Sequence, residues 1–384
     1  MHFFENTKVA FKSKSNYELK RAHFLFKAVN YNFLVNIGAA TLPWAKNIPG
    51  VKYLIKNTIY DHFCGGETRD ESLKTVDKLF KHNVKSILDY SIEGKEEESA
   101  YDNCFQEILA LIDLAENNPK IPFVVFKPTG YGNIKVYEKV GSNATLTKKK
   151  QKAWENIKRR FFETCQKAHD KNVIIMIDAE ESWMQTAADD LAEEMMQTFN
   201  KEKVTVLNTL QMYRHDRLEY LKNQYEKAVQ NNYFLGFKIV RGAYMEKERE
   251  RAEKRGYPSP IQPDKASTDN DYNTALSFIL EHPDRIFLFA GTHNERSCLL
   301  LKEKAENLKS NNNIWFGQLF GMSDNISFVL SENGYNVAKY VPYGPVKEVI
   351  PYLIRRAQEN TSVAGQSNRE LMLIEKELKR RKED

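Results

Sequence analysis

The sequence predicts an α/β fold, a (β/α)8 TIM-like barrel with an N-terminal helical arm. Short β-branched or aromatic runs recur eight times from residue 84 onward. Charged amphipathic segments such as 148–171 and 217–231 lie between them, each long enough for a crossover helix. Seven of the eight runs start apolar and end in polar, glycine or aromatic residues, the asymmetry expected where chemistry gathers at the C-terminal ends of barrel strands. A chain of 384 residues accommodates such a barrel, typically ~250 residues, as one core.

Residues 1–83 lack strand signals and carry Phe24, Phe26, Val29, Phe33, Leu34 and Ile37 at helical spacing, punctuated by Pro43 and Pro49. They read as a helical arm, expected to cap the barrel rather than to serve as a basic amphipathic membrane surface. The barrel spans 84–372, its runs being Val84–Glu93, Ile121–Tyr131, Val173–Glu181, Val204–Tyr213, Leu235–Tyr244, Arg285–Asn294, Ile314–Met322 and Val337–Gly344. Residues 373–384 read as a charged C-terminal tail.

Composition narrows the function. Hydrophobic residues make up 41% and charged residues 28%, a soluble globular profile rather than a disordered one. The first 80 residues hold 12 basic and 7 acidic side chains, so the whole net charge of +5 lies there. The body lacks the basic stripe of a nucleic-acid binder. Cys64, Cys104, Cys165 and Cys298 are too widely spaced for a CxxC pair or a zinc knuckle, and read as reduced thiols. No apolar run approaches the ~18 residues of a membrane span, and no signal peptide is expected. One arginine, Arg21, in the first 60 residues argues against a transit peptide. The expectation is a cytoplasmic protein, with peripheral membrane contact open to its basic arm.

Strand polarity places Asp89, Glu93, Lys127, Asp178, Gln211, Lys238, Arg241, Tyr244, His293 and Tyr340 at one barrel mouth. After the eighth run, Tyr352, Arg355, Arg356 and Glu359 share about a 100° sector of one helix. That face is either a solvated Arg–Glu surface or a carboxylate site, for which paired guanidinium forks are suited. Alternation along strand three would put Asp178 and Glu180 on one side, but dispersed histidines and no HExxH leave a metal hydrolase without a ligand set, and no metal is expected. Neither GxGxxG nor a P-loop is present. A phosphorylated cofactor would have to be held by the amides of Gly242 and Ala243 with Lys238, Arg241 and His293.

Four motifs, KIVRGAYMEKERERA from Lys238, YLIRRAQEN from Tyr352, IDAEES from Ile177 and THN from Thr292, resemble the proline dehydrogenase family over residues 84 to about 365. The wording around DYSIE and KIVRGAY resembles its monofunctional branch. The resemblance implies a distorted (β/α)8 barrel with noncovalent FAD that oxidises L-proline to Δ1-pyrroline-5-carboxylate and passes electrons to a membrane quinone.

The resemblance also implies site roles. Arg355 and Arg356 match the pair that holds the proline carboxylate, and Lys127 lines the same pocket. Tyr244, Leu319, Tyr340 and Tyr352 match residues that wall in the ring. Asp178 and Lys238 match catalytic positions, and Gln211 and Lys238 match hydrogen-bond partners of the flavin ring. Ala179, Val240, Arg241, Gly242, Ala243, Thr292, His293 and Glu359 match further flavin contacts, and Glu93 matches a gate carboxylate that pairs with an arginine. Met245 stands where the fused bacterial enzymes have tryptophan, so that contact does not carry over. Tyr340 favours proline over 4-hydroxyproline, because hydroxyproline-preferring members have a smaller residue there. The competing readings are a hydroxyproline dehydrogenase and a flavin-free anion-binding barrel.

Overall fold

The computed structural model describes residues 3–29, 50, 53, 55–90, 96–306, 308, 313–362 and 366–384, with the side chains of 29, 357–362, 366 and 367 outside the description. Parallel strands alternate with helices in one eight-stranded sheet, a TIM-like (β/α)8 fold. The strands are β1 (Lys85–Tyr90), β2 (Phe123–Phe126), β3 (Ile174–Ile177), β4 (Val206–Gln211), β5 (Leu235–Val240), β6 (Ile286–Gly291), β7 (Ile314–Leu319) and β8 (Val337–Tyr343). Each falls inside one of the eight runs read from the sequence. β2, β3 and β5 end where their runs turn polar, just before Lys127, Asp178 and Arg241. The chain divides into two compact units, Met1–Glu93 with Gly317–Asp384, and Gly94–Phe316.

In the Gly94–Phe316 unit, β2 to β6 pair in sequence order, and the register aligns Thr209 with Lys238 and Lys238 with Phe289. Partners in parallel strands share a face, so the residues of the inner face can be followed from strand to strand. Phe123 meets Phe287, Phe289 and Trp315 edge to face, with centroids 6.0, 5.4 and 4.7 Å apart. Aromatic packing near the strand starts fills that end with apolar surface and leaves the polar side chains to the C-terminal end. On the opposite face Asn208 donates to Asp189 at 3.0 Å, and Arg217 pairs with the same carboxylate at 2.6 Å. These buried polar groups satisfy one another while locking helices Ser182–Phe199 and Arg217–Gln230 beside β4.

In the other unit β1 pairs with β8, Ile87 opposite Tyr340 and Asp89 opposite Pro342. The N-terminal segment is helical over Thr7–Ala10, Asn16–Val29 and Arg69–Phe80. Thr68 caps the last of these, its side chain accepting from the Glu71 N–H. Gly65 N–H donates to Pro342 O at 2.8 Å, so the segment also runs beside β8. Within helix Asn16–Val29, Leu19, Ala22 and Phe26 are buried against Leu373 and Ile374. Phe24, at an apolar position expected to pack, is 67% exposed, because it lies on the far side of the helix from that stripe. Phe33, Leu34, Ile37, Pro43 and Pro49 lie outside the described residues. The residues read as a charged tail continue the helix Gln366–Glu383, where Leu371, Ile374 and Leu378 recur at helical spacing.

Candidate functional site

Strand ends of the Gly94–Phe316 unit bring three of the expected residues together. Lys238 Nζ donates to Asp178 Oδ1 at 2.5 Å, and Lys127 Nζ lies 3.9 Å from Asp178 Oδ2. Lys238 is only 6% exposed, and Asp178 is a counter-charge for its ammonium. Lys127 and Lys238 thus flank the same carboxylate from two strand ends. Gln211 ends β4 two residues beyond Thr209, the register partner of Lys238, and therefore presents to the same face. Its side chain is buried, and Oε1 has no hydrogen-bond partner among the described residues. A buried acceptor left unpaired is costly, and it marks a place where a donor belongs.

A second cluster surrounds Arg241. Its Nε donates to Asp269 at 2.6 Å, Nη1 to Thr292 Oγ1 at 2.7 Å and Nη2 to Ser297 Oγ at 3.0 Å. The guanidinium also stacks on Tyr272, 4.4 Å from the ring centroid. The planar fork is thus fixed on three sides. Next in sequence, Gly242 has φ of 131°, a conformation other residues rarely adopt. A Cβ there would sit 2.6 Å from three ring atoms of Tyr213. Gly242 and Ala243 are exposed, Val240 and Tyr244 half-buried, and Tyr244 precedes helix Met245–Arg255. Thr292 is buried and His293 half-buried, and Asn294 caps the following helix through the Ser297 N–H.

The expectation that Asp178 and Glu180 share one side fails, because β3 stops at Ile177 and strand alternation stops with it. Asp178 remains at the strand end, its N–H donating to Phe126 O at 2.9 Å. Glu180 instead accepts from Thr129 N at 2.8 Å and Thr129 Oγ1 at 2.6 Å, while its own N–H donates to Gln185. Burial, with Glu181 adjacent, pushes its carboxyl up to about 7. Glu180 therefore braces the loop after β2, next to Lys127. Glu181 pairs with Lys247, and Glu248 accepts from Ser182 N and Oγ. Ala179, half-buried, lies between Asp178 and this brace. Asp269, Tyr272 and Ser297, which hold Arg241, were missed by sequence reasoning, since helix residues between strands carry no local signal for a strand-end partner. Among the described residues no three His, Cys, Asp or Glu side chains form a metal-holding group.

In the other unit, Tyr352, Arg355 and Arg356 lie on helix Val346–Ser362, which follows β8. Tyr352 is buried and both arginines half-buried, with Arg356 5.5 Å over the Tyr352 ring. Leu319 packs against the apolar cluster that contains Tyr352, Met322, Val349 and Leu353. Tyr340, 8% exposed, accepts through its carbonyl from Phe320 N–H at 2.8 Å, which sets it beside Leu319. Glu359 belongs to the same helix, but its side chain lies outside the described residues, as does all of Glu93.

Comparison with known proteins places the chain in a family. The family model described as proline dehydrogenase matches residues 72–369. The chain is 36% identical over 333 residues to the carbapenem antibiotics biosynthesis protein CarD of Pectobacterium carotovorum, covering 86% of each chain. It is 34% identical over 428 aligned residues to proline dehydrogenase 1, mitochondrial, of Dictyostelium discoideum, covering 98% of this chain and 74% of that one. Among solved structures, proline utilization A from Bdellovibrio bacteriovorus, inactivated by N-propargylglycine, superposes with a TM-score of 0.72 at 23% identity. That likeness, which concerns the fold, covers 94% of this chain, and the chain spans 37% of that longer protein. The extent of the family match and the identity to a relative aligned over 74% of its length place the chain in the proline dehydrogenase family, as an oxidoreductase of that kind.

Proposed function

We propose that this chain oxidises L-proline to Δ1-pyrroline-5-carboxylate with noncovalent FAD and hands the electrons to a membrane quinone. The observation that carries the reading is the Asp178 carboxylate held between Lys238 and Lys127 at strand ends of a proline dehydrogenase family member. The residues present suit a flavin. Gln211 Oε1 is a buried acceptor in need of a donor, and Arg241, Thr292, His293 and the turn amides of Gly242 and Ala243 form a donor set for a phosphorylated, polar cofactor. When bound, FAD supplies the acceptor for the hydride that leaves the proline ring carbon.

The remaining work falls to the protein. Lys238 Nζ donates to Asp178 Oδ1, which holds a cationic donor in place at this strand end. We assign Ala179, Val240, Arg241, Gly242, Ala243, Thr292, His293 and Glu359 to cofactor contacts. Arg355 and Arg356 take the substrate carboxylate, each charge-assisted hydrogen bond contributing roughly 1.5–3 kcal/mol when water is excluded. Lys127, Tyr244, Leu319, Tyr340 and Tyr352 are the other substrate contacts, and Glu93 the gate. Orientation of this kind accounts for up to ~7–11 kcal/mol of a barrier. The buried Tyr340 ring favours proline over its hydroxylated analogue.

A quinone acceptor calls for contact at a membrane surface rather than a membrane span. Among the described residues no helix is long and apolar enough to cross a membrane.

The test is the visible spectrum of the purified protein under anaerobic conditions before and after L-proline, with hydroxyproline and L-lactate as controls. Yellow protein bleached preferentially by proline supports cofactor and substrate together. Yellow protein bleached faster by hydroxyproline moves the substrate assignment, and colourless folded protein that FAD cannot reconstitute overturns the flavin reading. Arg355→Met and Arg356→Met should each raise KM for proline and lower kcat, and unchanged kinetics in both would remove the carboxylate clamp.

A further inference from the structure

Behind Tyr340, on the opposite face of β8, lies a lysine with no access to solvent. Lys339 is 0% exposed, and its Nζ is 2.8 Å from Asp324 Oδ1, 2.6 Å from Met322 O and 3.4 Å from Leu319 O. Three acceptors surround the three N–H bonds of one ammonium. Asp324 Oδ2 is in turn 3.1 Å from Lys14 of the N-terminal segment. Glu370 of the C-terminal helix accepts from the Ser323 N–H. Burial pushes the Lys339 ammonium down, against the pull of Asp324. Burial also pushes Asp324 up, yet Lys14 and Lys339 hold it well below the usual carboxylate range.

Such a cluster is an expensive way to fill a core, since apolar side chains of similar volume often serve as well or better. What apolar side chains cannot do is bond the carbonyls of a turn. The turn after β7 needs that help: Gly321 has φ of 81° and Ser323, which is not glycine, has φ of 49°. A Cβ at Gly321 would lie 2.3 Å from His62 O, so the turn is wedged against the N-terminal segment. Strained backbone of this sort persists only where its surroundings hold it.

We propose that Lys339 is a positioning residue for substrate recognition: from the outer face of β8 it clamps the turn 319–322 and so fixes Leu319 and Tyr340 on the inner side. Lys339 holds the Leu319 and Met322 carbonyls directly, and Phe320 N–H to Tyr340 O carries the constraint back to β8. Lys14 and Glu370 bring both chain termini into the same clamp. The inference rests on Leu319 and Tyr340 being substrate contacts, as assigned above.

The experiment compares the flavin-loaded wild type with Lys339→Met/Asp324→Asn, which removes the buried pair together and leaves Lys14 and Glu370 as the ionisable groups of the cluster. The expected result is near-normal melting and flavin content, KM for proline raised roughly tenfold with a smaller loss in kcat, and a reduced preference for proline over hydroxyproline. A loss of kcat and flavin in proportion, with KM and preference unchanged, would make the cluster merely structural and overturn the proposal. Lys14→Met, which weakens the clamp from its half-buried end, should raise KM in the same direction, and its unchanged KM alongside an unfolded double variant also overturns it. If the wild type itself does not respond to proline, the function assigned above falls; if it does and the variants match it, the positioning role alone falls.

Discussion

Replacing Gly242 by alanine puts the turn after β5 under a load that can be estimated from the structure. The Cβ would lie 2.6 Å from Cγ, Cδ1 and Cε1 of Tyr213, where carbon atoms at rest sit ~3.5–4.0 Å apart. The ring has little room to retreat: Tyr213 is 3% exposed, its N–H donates to Arg241 O at 2.7 Å and its carbonyl accepts from Gln262 N at 2.7 Å. Alanine at φ of 131° adds backbone strain of about 1–3 kcal/mol, and overpacking adds about 1–3 kcal/mol more. The sum, about 2–6 kcal/mol, is a large share of the stability of a typical domain. If the turn yields instead of the ring, Arg241 moves with it and its bonds to Asp269, Thr292 and Ser297 are disturbed. The expected outcome for Gly242→Ala is a melting midpoint lowered by several degrees, with bound flavin lost on dilution, read by circular dichroism and by the fluorescence of released flavin. Wild-type flavin retention with a midpoint within a degree of wild type would refute the reasoning.

Two further outcomes follow from the same strand ends. Glu180, buried and pushed up to about 7 from an ordinary 4.5, binds a proton in the folded state that the unfolded state has already released between those values, so it subtracts stability as pH rises through that window. Glu180→Gln keeps the acceptor for Thr129 without the titration, and its stability relative to wild type should improve by of order 3 kcal/mol between pH about 4.5 and about 7, measured by denaturant unfolding at both ends. An equal difference at the two ends would show that Glu180 does not titrate in that window. Asp178→Asn removes the carboxylate that Lys238, 6% exposed, bonds, and should cost up to ~3 kcal/mol, the lower end for a broken buried pair because the amide oxygen still accepts. Turnover should fall by more than flavin content, and turnover tracking flavin content would deny Asp178 a role beyond holding the site together.

The strands were legible because each run of β-branched and aromatic residues changes character where the strand ends. That change also made Lys127, Asp178 and Lys238 legible as neighbours, since barrel geometry gathers strand ends without any long-range information from the sequence. The same rule failed one residue pair later. Asp178 and Glu180 differ in role because β3 stops at Ile177, and where a strand stops depends on its pairing with β2 and β4. Phe24 and the residues after 372 show the corresponding limit for helices: periodicity predicts a helix, but which of its faces is covered depends on the partner. Leu373 and Ile374 are buried because Ala10, Phe11 and helix Asn16–Val29, all far away in sequence, pack with them in one cluster.

Lys339 is the sharpest instance of that limit. In VAKYVPYG, alternation along β8 puts Lys339 on the face opposite Tyr340, and nothing local marks that position as buried. What the local pattern omits is the cover: Asp324 from the helix after β7, Lys14 from the N-terminal segment and Glu370 beside them turn that outward position into a fully buried one. A charge at such a position is tolerated only with its partners in place, so Lys339 and Asp324 are compensated only once β8, the helix after β7 and the N-terminal segment are packed together. Cooperativity of this kind leaves no trace in a local sequence window. It is nevertheless what makes the arm and the C-terminal helix part of the catalytic fold rather than appendages to it.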